Sequence, residues 1–298
     1  MKLDIRPLPG KVMAHRLPPE PGFYRCNEEV YFGLPGANAS TLKVLQKKTA
    51  GHAHAAETKA FQESITPKQA TAAQEFGTAF HCRLLEAERF DRTYIRADYT
   101  RTKKKKEEAA ELDQRLLKAD DYDKVTAMVR AAFTQSDQMR ALYKKGQSEI
   151  SMWWIDPHTG ILCKGRLDWW SVIFDIPVDV KTAESALPFD FSKAIANYGY
   201  HISARHYLDG LQELLEMEIN DFIWSVHEKE EPYQVALYRA DKEMLDEAEI
   251  DLRQLKEEYR ECLDKDEWPL YPGDLTDISL PGWVKRKKHR DAFDIPSP

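Results

Sequence analysis

The sequence is short of cysteine, and that shortage removes several kinds of site at once. Only four occur in 298 residues, Cys26, Cys82, Cys163 and Cys262, and no two form a CxxC pair. A zinc ribbon or a thiolate-held iron–sulfur cluster is therefore not expected, and free thiols in a reducing compartment are. Long apolar runs are missing too: nothing approaches the ~18–20 residues that a bilayer-spanning helix needs. Met1 to Gly10 carries no apolar segment of the secretory kind, so the expectation is a cytoplasmic protein with no membrane partner. There is no internal repeat and no long low-complexity tract. Nor is there an excess of positive charge. Lys and Arg number 43 against 50 Asp and Glu, a formal net charge of -7. That argues against a protein that coats nucleic acid, although a local basic channel can still guide a polyanion.

What is present is enough apolar material, 42% of residues, for one sizeable core. Two basic runs stand out, Arg101 with Lys103 to Lys106, and Lys285 to Arg290. Each is a candidate channel wall, although a solvated surface run is the usual explanation.

The chain reads as a single domain, 1–298. Within residues 1–66, 1–36 look like an irregular leader, rich in Pro and Gly with one short strand, and a short helix follows for which Ser40 is the expected N-cap. Residues 67–86 form a firm helix, with Phe76, Phe80 and Leu84 as its apolar stripe and Gly77, His81 and Leu85 beside it. A glycine inside a helix costs roughly 1 kcal/mol against Ala, so close packing is expected at Gly77. Residues 87–106 read as a connection and 107–145 as one or two amphipathic helices.

The period then changes from near four to two. Glu149 to Ile155 alternates, Asp156-Pro-His-Thr-Gly160 is a turn signal, Ile161 to Phe174 alternates again, and Val178 to Lys181 is a short third strand. Those three make an antiparallel meander. Residues 190–217 read as one or two helices, 222–226 and 234–238 as a second hairpin, and 241–264 as a long charged helix before a basic tail. The fold class is α/β (α+β): a central mixed β-sheet flanked by helices, with 67–240 as its core.

Side chains of a strand share a face every second residue. Asp179 and Lys181 therefore lie together, with Val178 and Val180 turned the other way. On the preceding strand Lys164, Arg166 and Asp168 share a face, opposite Cys163, Leu167 and Trp169. On the first, Glu149, Ser151 and Trp153 do. If the polar faces coincide, Glu149, Asp168, Asp179 and Lys181 meet on one surface. Crowded carboxylates repel unless a cation lies between them, and Mg²⁺ accepts a few carboxylates plus water and phosphate oxygen. Taken alone, Asp-x-Lys is most often a surface ion pair; Asp168 on the neighbouring strand is what shifts the balance.

These residues resemble a known family. Gly77-Thr-Ala-Phe-His81-Cys-Arg-Leu-Leu-Glu86, Lys164-Gly-Arg-Leu-Asp168, Asp179-Val-Lys181-Thr182 and Tyr198-Gly-Tyr-His-Ile-Ser-Ala-Arg-His-Tyr207-Leu-Asp-Gly210 arrive in the order found in the PD-(D/E)XK nuclease superfamily. They look most like its lambda-exonuclease and RecE type, with the related RecB-like domains, and span 77–210. The resemblance implies a restriction-endonuclease-like core in which Asp168 and Asp179 are metal ligands, joined by the Val180 carbonyl and His81. It makes Lys181 the catalytic lysine, Glu149 an auxiliary acid and Tyr207 a further site residue. Arg166 and Ser40 would bind a 5′-phosphate; a plain N-cap is the bland alternative for Ser40, and a core histidine for His81. One departure stands out: Ser203 occupies the place of the family's glutamine, four residues before Tyr207, and Arg205 and His201 are the nearest polar candidates to replace it.

The function so implied is a Mg²⁺-dependent exodeoxyribonuclease, with Mn²⁺ as a substitute and two ions per site. It would digest linear duplex DNA from a 5′-phosphorylated end to mononucleotides, leaving 3′ single-stranded tails for an annealing protein. A ring-shaped homo-oligomer, trimer or tetramer, is implied by the same resemblance. The alternatives are a single-strand or endonucleolytic member of the superfamily, and a non-catalytic DNA-binding ring protein.

Overall fold

Alternating apolar residues in the middle of the chain build the centre of the molecule. The computed structural model describes residues 1–8, 19–66, 70–97, 103–112 and 114–280. In chain order these form β1 (Ile5–Pro7), β2 (Gly22–Arg25), α1 (Glu28–Gly33), α2 (Ala39–Lys47), α3 (Ala50–Ile65), α4 (Ala72–Leu85), α5 (Ala87–Thr93), β3 (Tyr94–Ala97), α6 (Lys103–Glu111), β4 (Arg115–Lys118), α7 (Ala119–Gln135) and α8 (Asp137–Tyr143). There follow β5 (Gly146–Ile155), β6 (Leu162–Ser171), β7 (Ile176–Ala183), α9 (Pro188–Tyr198), α10 (Tyr200–Leu215), β8 (Ile223–Glu228), β9 (Val235–Arg239) and α11 (Lys242–Lys265).

Among the described residues seven strands make the main sheet, in the order β1-β2-β5-β6-β7-β8-β9. The expected meander is there, β5, β6 and β7 pairing antiparallel. The expected hairpin β8–β9 is there as well. Between them β8 runs parallel to β7, with α9 and α10 as the crossover, so the sheet is mixed. Helices cover both faces. Ile150, Met152, Trp154, Leu167, Trp170 and Trp224 share a core with residues of α2, α3, α10 and α11. Trp169, Val178 and Val180 share another with α4, α5, α7 and α8. A strand buried on both sides has little polar alternation to keep, and β5 and β6 each carry a buried Trp pair split between two cores, Trp153-Trp154 and Trp169-Trp170. Gly210 lets α10 lie close on β5, since a Cβ there would stand 2.8 Å from the Trp154 ring.

The amino-terminal third is more ordered than its composition suggests. The leader supplies two strands of the main sheet and the helix α1. Ser40 does not cap α2: Asn38 does, accepting from the Thr41 amide at 3.1 Å, and Ser40 lies one residue inside the helix. Helix α3 has an Ala-rich sequence with a weak apolar stripe and escapes periodicity. The helix expected over 67–86 begins at Ala72, fixed by a capping box between Thr71 and Gln74; 67–69 lie outside the described residues. The region read as a connection, 87–106, holds α5 and β3; β4, the partner of β3 in a second, parallel two-stranded sheet, lies within 107–145, where only helices were expected and α7 and α8 follow it. Four-residue strands are too short to show a period.

Candidate active site

The ladder between β6 and β7 runs from Ser171↔Ile176 to Trp169↔Val178 and stops. One more step would pair Asp168 with Asp179. Instead the Asp168 carboxylate accepts the Val180 amide at 2.7 Å, a side chain standing in for a strand partner. The strands part at that point and form a fork.

β5 contributes from the other side. Its pairs Ser148↔Trp169 and Ile150↔Leu167 set Glu149 opposite Asp168. Glu149 has φ of 50°, the left-handed region that non-glycine residues rarely adopt. Alternation breaks here on both strands. Leu167 packs in the core beneath α10, while Trp169, two residues on, packs with α4. That corrects the expected shared face of Cys163, Leu167 and Trp169. The irregularity frees Glu149 and Asp168 from both cores and turns them into the fork.

Helix α4 closes the cleft with His81, whose Nδ1 lies 3.8 Å from Asp168 Oδ2. One ligand atom each from His81, Glu149 and Asp168 lie within 4.8 Å of one another. Asp179 is outside that trio and ion-pairs with the Lys181 ammonium. Lys181 also reaches the Val180 carbonyl at 3.4 Å, and that carbonyl acts on His81 as well. The sequence-expected set of Asp168, Asp179, Val180, His81, Glu149 and Lys181 is thus brought together, with Glu149 rather than Asp179 beside His81.

The electrostatics are those of a site short of cation. Burial, then the neighbouring Asp179, pushes the Asp168 carboxyl up to about 7, against the pull of Lys181. Burial also raises Glu149, with Arg166 opposing and Asp168 reinforcing. Burial lowers His81, helped by Lys181, which favours the neutral imidazole that can ligate a metal. For Lys181 burial favours the neutral amine, yet Asp179 and Asp168 outweigh it and hold the ammonium above the usual lysine range. Two carboxylates and a neutral imidazole within one ion's reach fit a divalent cation with oxygen preference.

Arg166 donates from Nε at 2.8 Å and Nη2 at 2.7 Å to Glu149. Its Nη1 is buried without a partner, a donor left over at the site. Lys164, expected on the same face, instead caps the end of α1, donating to the Tyr31 and Leu34 carbonyls at 2.9 and 2.6 Å. Tyr207 is half-buried behind β6, and Gly165 makes room for it: a Cβ there would stand 2.9 Å from its ring. Burial raises its hydroxyl well above the usual range.

Ser203 faces the cleft and accepts from Lys43 Nζ of α2 at 3.0 Å. Neither suggested substitute serves. Arg205 turns to Asp209 at 2.7 Å and Glu249 at 3.5 Å, and among the described residues no hydrogen bond links His201 to the site. Lys43 escaped the sequence reading because a lysine on an amphipathic helix carries no signal of its own. Ser40 shares α2 and is exposed. Gly77 was expected to be packed, yet a Cβ there meets nothing within 4 Å. Of the basic runs, 285–290 and Arg101 lie outside the described residues, and Lys104 pairs with Glu108 at 3.8 Å. No helix among the described residues is long and apolar enough to cross a membrane.

The fold has solved counterparts. The crystal structure of a candidate exonuclease from Eubacterium rectale superposes with a TM-score of 0.55 at 12% identity, over 86% of this chain and 93% of that one. That of SSO0001 covers 59% of this chain and 74% of its own at 12% identity, but its TM-score of 0.25 carries no argument. None of the curated proteins compared with the chain matches it. The PDDEXK-like domain of unknown function (DUF3799) matches residues 38–279, and the chain belongs to that family.

Proposed function

We propose that this protein is a divalent-metal-dependent nuclease that hydrolyses DNA phosphodiester bonds. The observation that carries the reading is the fork itself. His81, Glu149 and Asp168 converge within 4.8 Å, beside the Asp179–Lys181 pair. Structural ion pairs do not need three ligand atoms on one point with a carboxyl raised by burial and by a neighbouring carboxylate.

In this reading Asp168, Asp179, Glu149, His81 and the Val180 carbonyl hold Mg²⁺, with Mn²⁺ as a substitute and room for two ions. When bound, the metal lowers the pKa of a water and offsets charge on the attacked phosphate. Lys181, kept protonated by Asp179, donates to the attacking water or to a phosphate oxygen and stabilises the charge that develops there. Arg166 uses the unpartnered Nη1 for a phosphate, and Ser40 contacts a 5′-phosphate from α2. Tyr207 packs behind β6 and fixes the strand that carries Asp168.

The substrate we infer is linear duplex DNA with a 5′-phosphorylated end, digested 5′ to 3′ to mononucleotides. The 3′ tails left behind would serve recombination by an annealing protein. A ring of three or four copies would keep an acidic protein on its substrate.

The test is nucleotide release from 5′-phosphorylated, 5′-hydroxyl, single-stranded and circular DNA, with Mg²⁺, Mn²⁺ or chelator. Release from 5′-phosphorylated linear duplex alone, dependent on metal, is expected. Cutting of circles would replace the exonuclease reading with an endonuclease. Equal release by Asp179→Ala and wild type would overturn the catalytic assignment.

A further inference from the structure

Lys43 is built into the cleft with no charge to answer it. Its stem crosses the junction of α9 and α10 at Gly199, where φ is 64° and a Cβ would stand 2.8 Å from Lys43 Cδ. Its ammonium meets Ser203 Oγ at 3.0 Å and lies 6.0 Å from the Tyr200 ring centre. Lys181 lies 5.0 Å from the same ring. The two lysines therefore flank one tyrosine, Lys181 from β7 and Lys43 from α2. Lys181 has Asp179; among the described residues Lys43 forms no salt bridge.

A half-buried ammonium hydrogen-bonded to a neutral hydroxyl and not to a carboxylate is costly to keep. Burial, and then the like charge of Lys181, lower it to about 8, with Asp179 partly opposing and Lys47 adding to the fall. Such a group gains most from an anion that enters the cleft. The fork beside it is an acidic, metal-holding centre in the nuclease reading, so the anion that comes with the substrate is a phosphodiester.

We propose that Lys43 is a substrate-binding residue of this site, donating to a DNA backbone phosphate next to the one attacked, with Ser203 positioning its ammonium. This rests on the nuclease reading for the identity of the anion. It also gives the departure at Ser203 a physical meaning. A short hydroxyl there leaves room for a cation from a different helix, so a charged donor replaces a neutral amide.

The test keeps the packing and removes the charge. Lys43→Met retains a stem to lie on Gly199, and Lys43→Arg retains the cation. Binding of a fluorescein-labelled, 5′-phosphorylated duplex is followed by anisotropy in chelator, from about 50 to about 300 mM NaCl. Lys43→Met is expected to weaken binding about tenfold at the low-salt end and to reduce the slope of log affinity on log salt by about one. Lys43→Arg should keep the wild-type slope, and Ser203→Ala should weaken binding with the slope unchanged. In hydrolysis assays Lys43→Met should raise KM far more than it lowers kcat. A Lys43→Met protein with the wild-type slope overturns the proposal, whatever its melting temperature, because a merely structural tie between α2 and α10 has no salt dependence to lose. Binding is read without metal, so its outcome is separate from that of the nuclease reading. Wild type that releases no nucleotide with Mg²⁺ or Mn²⁺, yet shows the Lys43-dependent slope, would sink the nuclease and leave the phosphate contact standing.

Discussion

Asp168 accepts the Val180 amide at 2.7 Å at the step where β6 and β7 cease to pair. The same carboxylate therefore does two things: it satisfies a backbone donor that the ladder has abandoned, and it presents its charge to His81 and Glu149. The two roles can be separated by mutation. Asp168→Asn keeps an acceptor for Val180 and removes the charge, whereas Asp168→Ala strands the amide. We expect both to lose nuclease activity by more than about 100-fold. Asp168→Ala should be less stable than Asp168→Asn by about 1–3 kcal/mol, the cost of an unmet buried donor. Urea denaturation of the two variants side by side is the check; equal midpoints would mean the amide bond contributes nothing.

The raised Asp168 carboxyl makes a statement about pH. Its folded value, about 7, lies above the ~3.9 of an unfolded aspartate, so the folded protein binds this proton more tightly. The stability linked to that proton is present below about 4 and is lost as pH rises through about 7. Glu149 and His81 face the same space, and Asp179, Lys181 and Arg166 bring fixed charge to it. Comparison with Asp168→Asn isolates the effect. From about pH 5 to about pH 7.5 metal-free wild type should fall in melting temperature relative to the variant, and Mg²⁺ or Mn²⁺ should restore it at the upper end. A difference that does not change with pH would refute the assignment.

The meander, the crossover helices and the long carboxy-terminal helix were legible because each rests on a period sustained over many residues. Asp179 with Lys181 was legible for the same reason. Glu149 beside Asp168 was only half so. Strict alternation places Glu149 with Ser151, but its positive φ breaks the alternation that the argument assumes. Trp169 went to the wrong core for that reason. Arg166 was legible as a phosphate contact but its orphaned Nη1 was not, and Lys43 was not legible at all in its present role. Their meaning comes from what does not stand beside them, and a sequence does not show a missing partner.

A second buried charge cluster fastens the opposite layer. Lys256 of α11 donates to Asp156 in the β5–β6 turn at 2.6 Å and to Asp209 of α10 at 2.8 Å. Its side chain is 4% exposed and that of Asp156 6%, so neither charge has bulk water to fall back on. Lys256→Ala would leave Asp156 buried and unpaired, a loss of about 3–5 kcal/mol. Chemical denaturation should show it as a lower midpoint with an unchanged slope. A loss below about 1 kcal/mol would place the cluster with exposed pairs, which contribute little.

Gly77 and Gly199 make opposite predictions for the same substitution. At Gly199 the backbone is left-handed, φ 64° and ψ 39°, and the missing Cβ is where the Lys43 stem passes. Alanine there should cost about 1–2 kcal/mol from the backbone alone, and it should weaken DNA binding by displacing Lys43. Gly77 is inside α4, one turn before His81, and a Cβ there would meet open space. Alanine should stabilise that helix by up to about 1 kcal/mol. Thermal melts of the two variants should therefore move in opposite directions. If Gly77→Ala also raises the KM for DNA while it raises the melting temperature, the open space over α4 belongs to the substrate; if KM stays put, the glycine is only a weak point of the helix.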